Sequence, residues 1–174
     1  PAVGVRSVVA VYGGDERVGP GASAPLAHEV RRAATTTALA VDSPQSELGA
    51  PVELVATVAA VAPGGAVATG SVSFHAGAEV LGVAAVGTDG TARLAHAGLP
   101  VGVHELTATF AATATHEAST SAGVGHEVVP ATSRTVLRTD GPTERGGPVA
   151  LTATVTGAEA VPAGAPTGSV TFHL

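Results

Sequence analysis

The chain has 174 residues, a formal net charge of -6, and no cysteine, methionine or tryptophan. Without cysteine it can form no disulfide, no thiolate zinc site and no cysteine nucleophile. Its basic residues are eight arginines without an extended run, so its charge disfavours a nucleic-acid partner. No apolar stretch approaches the ~20 residues that a membrane-spanning helix needs, and we expect no membrane insertion.

The sequence matches itself at a shift of about 98 residues. Residues 3–30 align without a gap to residues 101–128, and residues 69–75 return as 167–173 with one Ser-to-Thr change. Similarity at a fixed period indicates a repeat architecture. We predict that 1–30 holds the last two strands of one repeat, 31–130 a complete repeat, and 131–174 the first three strands of a third. The chain is then expected to be an excerpt of a longer protein.

Seven segments of residues 31–130 have the composition of β-strands and are separated by turn residues. The pair Asp89-Gly90 is typical of a tight hairpin. The predicted strands are Thr36–Val41, Val52–Ala60, Gly70–His75, Glu79–Val86, Thr91–His96, Val103–Phe110 and Ser121–Val129. With no helical periodicity, this spacing predicts an all-β fold, an antiparallel β-sandwich in tandem repeats; a seven-stranded barrel is the alternative.

Alternation along these strands predicts which side chains face the core. Tyr12, Phe74, Phe110 and Phe172 are the four aromatic residues, and all four are expected to anchor cores otherwise made of Ala, Val and Leu. Ser71, Ser73 and His75 are expected to face outward. The further inward positions are Val52, Leu54, Ala56, Val58, Val72, Ala92, Leu94, Leu106 and Ala108.

Three motifs occur in a characteristic order. Gly49–Val58 has the pattern Gly-x-Pro-Val-x-Leu-x-Ala-Thr-Val, Thr69–Phe74 has Thr-Gly-Ser-Val-x-Phe, and Val101–Phe110 has Val-Gly-x-His-x-x-x-Ala-x-Phe. This order resembles the bacterial Ig-like repeat domains of large surface and secreted proteins. The resemblance implies an immunoglobulin-like sandwich, a tandem arrangement, an extracellular or cell-surface location and no catalysis.

The resemblance favours a non-catalytic structural spacer or stalk module whose partners are neighbouring Ig-like repeats of the same chain. One alternative is an adhesin-type binding module that contacts a cell-surface glycan or protein. Another is an accessory domain of a secreted enzyme. Tyr12 is the candidate aromatic for binding, although its alternation with Val8 and Ala10 predicts burial.

Seven histidines raise the question of a metal site, but none has the helical spacing of the usual zinc patterns. His28 and His126 are repeat copies of each other, as are His75 and His173. Copies a domain length apart cannot share one ion, so we predict exposed strand residues or interdomain polar residues. His104 is expected at the rim of the core, bonded to a loop carbonyl.

Acidic residues offer little more chemistry. In His116-Glu117 and His126-Glu127, neighbours on a strand point to opposite faces, which disfavours joint acid–base catalysis. Asp42 and Glu47 flank one turn, and Asp140 and Glu144 flank its counterpart, but a calcium site needs more carboxylates close together. We therefore predict no catalytic residue, no cofactor and no metal site.

Overall fold

A computed structural model describes residues 2–65, 67–141, 144–157 and 166–173. All regular secondary structure in these residues is β-strand. The strands are β1 (Gly4–Val8), β2 (Val11–Tyr12), β3 (Gly21–Ala22), β4 (Leu26–Val30), β5 (Thr35–Val41), β6 (Gln45–Glu47), β7 (Val52–Ala60), β8 (Ser71–Ala76), β9 (Glu79–Ala85), β10 (Thr91–His96), β11 (Gly102–Phe110), β12 (Ser119–Thr120), β13 (Val124–Val129), β14 (Ser133–Thr139) and β15 (Leu151–Gly157).

Strands β5 to β13 form a sandwich of two sheets. One sheet has the order β10-β7-β5, and the other has the order β6-β13-β11-β8-β9, with β12 beside β11. All these pairs are antiparallel except β6 with β13, which run parallel from Gln45 opposite Glu127 to Glu47 opposite Val129. The predicted immunoglobulin-like β-sandwich is confirmed.

The predicted strands agree with the observed ones to within one residue, with two exceptions. Strand β6 was not predicted, because Gln45-Ser46-Glu47 lacks apolar alternation. The predicted strand Ser121–Val129 is wrong at its start, since β13 begins only at Val124 and the separate short strand β12 covers Ser119-Thr120. The hydroxyl of Ser121 accepts a hydrogen bond from the Ala108 amide at 3.0 Å, and this side-chain bond interrupts the ladder.

The core lies between the two sheets and follows the predicted alternation. Phe74 and Phe110 are its largest members, and both are completely buried. A Cβ atom on Gly70 would lie 2.9 Å from Cε2 of Phe110, so the ring needs a glycine beneath it. The other buried apolar residues are Val52, Leu54, Ala56, Val58, Ala68, Val72, Ala92, Leu99, Leu106, Ala108 and Val128, with Leu94 partly buried beside them.

The first thirty residues form hairpins with the same register as the end of the sandwich. Gly4 pairs with Val30 as Gly102 pairs with Val128, and Tyr12 pairs with Gly21 as Phe110 pairs with Ser119. Each correspondence has a shift of 98 residues. The hairpins nevertheless have no opposing sheet among the described residues. Tyr12 is therefore half-exposed, and its predicted burial is wrong.

The last described residues repeat the start of the sandwich in the same way. Strands β14 and β15 pair with Leu137 opposite Ala153, which corresponds to Leu39 opposite Ala56 in β5 and β7. Residues 166–173 contain no assigned strand, so the predicted third strand of this segment is not observed as a ladder. Its counterpart β8 is held between β11 and β9. The division of the chain into three repeats stays a prediction.

Replacing Phe74 by alanine should lower the free energy of unfolding by about 3–5 kcal/mol, because a large cavity would open among small side chains. Val103 lies on the exposed side of β11, so Val103→Ala should change it by less than about 0.5 kcal/mol. Urea unfolding followed by circular dichroism measures both values. Equal effects would contradict the central position of Phe74.

Candidate functional site

The most buried titratable side chain of the described residues is His126, which is 1% exposed. Its Nδ1 lies 2.9 Å from the carbonyl oxygen of Ser43, and its Nε2 lies 2.9 Å from Oγ of Ser46. Because a carbonyl can only accept, Nδ1 donates to Ser43, and in the neutral ring Nε2 accepts from the Ser46 hydroxyl. The imidazole thus ties the β6 segment to β13.

This position corrects the prediction that His126 is an exposed or interdomain residue. The side chain faces inward on β13 together with Val128. The alternation with Val128 was present in the sequence, and it is the signal that could have identified the burial. The two hydrogen-bond partners of the ring, Ser43 and Ser46, had no such signal in the sequence, because their contact with His126 depends on a parallel pairing between distant parts of the chain.

A second polar cluster joins the two sheets at their edge. His116 is buried, and its Nδ1 lies 2.9 Å from Oγ1 of Thr115. Nearby, Oγ of Ser119 lies 2.8 Å from Oγ1 of Thr35 and 2.7 Å from Oγ1 of Thr37. Activation of a hydroxyl as a nucleophile requires a base such as an imidazole or a carboxylate. Among the described residues, the hydroxyls of Thr35, Thr37 and Ser119 bond only to one another and to backbone carbonyls. The cluster fixes β5 against β12.

The other histidines do not converge with these clusters. Nε2 of His104 lies 2.7 Å from the carbonyl oxygen of Pro100, which confirms the predicted bond to a loop carbonyl. His75 is partly buried on the outer face, with its Nε2 3.0 Å from Oγ of Ser73. His28 and His173 are exposed, as predicted.

In each adjacent His-Glu pair, one side chain is buried and the other is exposed; His126-Glu127 lies on β13 and follows the predicted alternation, whereas His116-Glu117 lies outside the strands. His116 and His126 are buried, whereas Glu117 and Glu127 are exposed. The carboxylate of Glu127 accepts a hydrogen bond from Nε2 of Gln45 at 3.1 Å, outside the core.

The acidic residues considered for a calcium site do not share a hydrogen-bond partner among the described residues. Oδ1 of Asp42 accepts a hydrogen bond from the Glu53 amide at 3.2 Å, and Asp140 and Glu144 are exposed. Within residues 2–65, 67–141, 144–157 and 166–173, no three histidines or carboxylates are grouped so that they could hold a metal ion. Those residues also contain no helix long and apolar enough to span a membrane.

The loop after β2 has the best-defined exposed polar geometry. The hydroxyl of Tyr12 donates to Oδ2 of Asp15 at 2.9 Å, and Oδ1 of Asp15 accepts from the amides of Arg17 and Val18 at 2.8 Å. The Arg17 amide contributes most to lowering the pKa of Asp15, followed by the Tyr12 hydroxyl and the Val18 amide. The bond to Asp15 raises the pKa of Tyr12.

Comparison with known families agrees with the β-sandwich fold of the central residues. Residues 39–129, more than half of the chain, match the family of bacterial Ig-like domains, group 3. The chain belongs to this family. Domains of the family are generally non-catalytic, act as structural or binding modules, and typically occur in extracellular or surface proteins. No curated protein matches the chain.

Replacing His126 by alanine should lower the free energy of unfolding by about 1–3 kcal/mol or more, because the Ser43 carbonyl and the Ser46 hydroxyl lose their partner. His75→Ala is the matched control, since it removes an imidazole with one hydroxyl contact on the outer face, and we expect a change below about 0.5 kcal/mol. Urea unfolding measures both. Equal values would contradict the anchoring role of His126.

The carboxyl group of Asp15 should titrate below its ordinary pKa of 3.8. Because the folded pKa is lowered, the loop bonds are fully present above pH 3.8 and are lost as the pH falls through the folded pKa. A carbon-13 NMR titration of the side-chain carboxyl measures this value. Tyr12→Phe should raise it partly, since the two amide donors remain. Titration at or above 3.8 in the unmodified chain would refute the loop geometry.

Proposed function

We propose that the chain is a non-catalytic spacer or stalk module of an extracellular or cell-surface bacterial protein, with neighbouring Ig-like repeats as its partners. Family membership supports a structural or binding role. His116 and His126 belong to the residue type best suited to acid–base chemistry. Both are buried, and both are hydrogen-bonded to groups of their own domain. Their hydrogen bonds stabilise the fold and leave no acid–base pair open to a substrate.

The observation that carries this proposal is the parallel pairing of β6 with β13. These strands lie close to the two ends of the sandwich, at Gln45–Glu47 and Val124–Val129. When a stalk is pulled, β6 is drawn toward its N-terminal end and β13 toward its C-terminal end. Because the strands are parallel, the tension shears them past each other and loads their hydrogen bonds together instead of one after another.

His126 reinforces this pairing. Its ring is 1% exposed and connects β13 to Ser43 and Ser46 through two partly buried bonds of 2.9 Å at the edge of the core, where contact with water is reduced. The backbone adds Glu127 N to Pro44 O at 3.0 Å and Leu48 N to Val129 O at 2.9 Å. Immediately after β13, Pro130 fixes one backbone angle of the connection to the next segment.

Single-molecule force spectroscopy on the whole chain, tethered at its termini, tests the proposal. We expect one cooperative step that releases residues 35–129, whose fully extended length is about 310–340 Å at ~3.3–3.6 Å per residue, less the end-to-end distance of the folded sandwich. His126→Ala should lower the unfolding force, because the bonds that resist shear are weakened. His75→Ala is the control and should leave the force unchanged. Gradual extension without a step would rule out a load-bearing module.

An adhesin-type binding module is the second candidate, favoured by one observation. Tyr12 is half-exposed and hydrogen-bonded to Asp15 in a loop, an arrangement that could stack on a sugar ring. A glycan array with the whole chain separates the two functions. Reproducible binding to specific sugars that is lost in Tyr12→Ala would favour the adhesin, and an array without specific signal would favour the spacer.

A further inference from the structure

Strand β9 is an edge of the central sandwich that lacks the features by which proteins usually protect an edge. Among the described residues it pairs only with β8 and is the last strand of the larger sheet. Val80 and Val83 on this strand are 56% and 62% exposed. Its one charged residue is Glu79, at its first position, and the chain from Val80 to Thr88 contains no charged residue and no proline. Such an edge presents backbone N–H and C=O groups to which another strand can pair.

The other three edges of the sandwich are short, charged or bonded to a neighbouring strand. Strand β6 has only three residues and ends on Glu47. Strand β10 carries the exposed charge of Arg93. Strand β5 is joined to β12 through the hydroxyls of Thr37 and Ser119, which lie 2.7 Å apart. Short strands and charged side chains keep sheet edges from pairing with other chains. Strand β9, with seven residues, is therefore the edge best suited to receive another strand.

The ladder with β8 determines which backbone groups of β9 point toward the edge. The amide of Val86 donates to the carbonyl oxygen of Gly70 at 2.9 Å, and two residues earlier Ala84 lies opposite Val72. In an antiparallel ladder, hydrogen-bonded pairs alternate with pairs whose backbone groups point away from the partner strand. The N–H and C=O groups of Val83 therefore point away from β8, toward the exposed edge.

The β9 edge of a second copy is complementary to this one. If two β9 strands run antiparallel about a two-fold axis at Val83, the N–H group of each Val83 donates to the C=O group of the other. Gly82 of each copy then lies opposite Ala84 of the other, so only small side chains meet on the inner face. Because no charged residue lies within three positions of Val83, the net charge of -6 places no like charges at the centre of the contact.

We propose that two copies of the chain pair through their β9 strands, so that their larger sheets form one continuous sheet. Because the paired strands are antiparallel, the two sandwiches point in opposite directions. One pair of seven-residue strands makes a small contact, so the association is expected to be weak and to depend on concentration. A two-fold contact uses the same surface of both copies and is complete in a dimer.

The oligomeric state of the 174-residue chain tests the pairing. Size-exclusion chromatography with light scattering, from about 1 μM to about 1 mM, should show the mean mass rising from one chain toward two. Val83→Lys should move this rise to at least tenfold higher concentration, because two like charges would face each other across the axis. The control Val103→Lys adds the same charge on β11, inside the same sheet, at a side chain that is 79% exposed, and should leave the rise unchanged. Urea unfolding shows whether both variants remain folded.

Cysteine cross-linking tests where the two copies meet. The chain contains no cysteine, so each thiol is the one introduced. Residues opposite each other in a hydrogen-bonded antiparallel pair have Cα atoms about 5.5 Å apart, a separation that a disulfide can bridge. Under mild oxidation, Val83→Cys should form at least tenfold more disulfide-linked dimer than Val103→Cys. Random collisions would favour the second variant, because Val103 is the more exposed of the two side chains.

Three results would each overturn the proposal: a mass of one chain at every concentration, a rise in mass that Val83→Lys does not shift, or equal cross-linking at positions 83 and 103. A mass of one chain would leave an extended peptide as the other occupant of the edge. The spacer function is tested separately, because the force measurement stretches one tethered chain without a second copy. The two proposals can therefore fail independently.

Discussion

The fold depends on two phenylalanine rings held between sheets that are otherwise lined with small side chains. Phe74 and Phe110 come from adjacent strands, β8 and β11, and Gly70 gives the second ring the room it needs. Val52, Leu54 and Ala56 form the facing layer on β7. Because a core of valine, alanine and leucine has little surplus burial, the position of each large ring decides whether the sheets meet closely.

Buried polar groups complement this core at its edges. The hydroxyls of Thr35, Thr37 and Ser119 join β5 to β12, and His126 joins β13 to the β6 segment. Each buried polar side-chain atom of the described residues has a hydrogen-bond partner. The same bonds that make the polar groups tolerable inside the protein also remove them from chemistry. A structural role is therefore consistent with the bonding of the side chains that looked most reactive.

The three parts of the chain have the same alternation and differ in whether a second sheet covers it. In the centre, β7 and β10 cover Phe74 and Phe110. In the first and last segments, the corresponding residues Tyr12 and Phe172 remain about half-exposed. Burial in a sandwich is thus a property of paired sheets, and one strand with the correct pattern cannot produce it.

The sequence by itself determined the all-β class, the positions of most strands, the inward faces of β7, β8 and β11, and the family, because strand alternation and turn residues are local signals. Tertiary structure decided the β6–β13 pairing, the division at Ser121, the burial of His126 and the exposure of Tyr12. Each of these depends on which distant segment lies opposite. Alternation states which side of a strand is apolar, but only the partner sheet determines whether that side is covered.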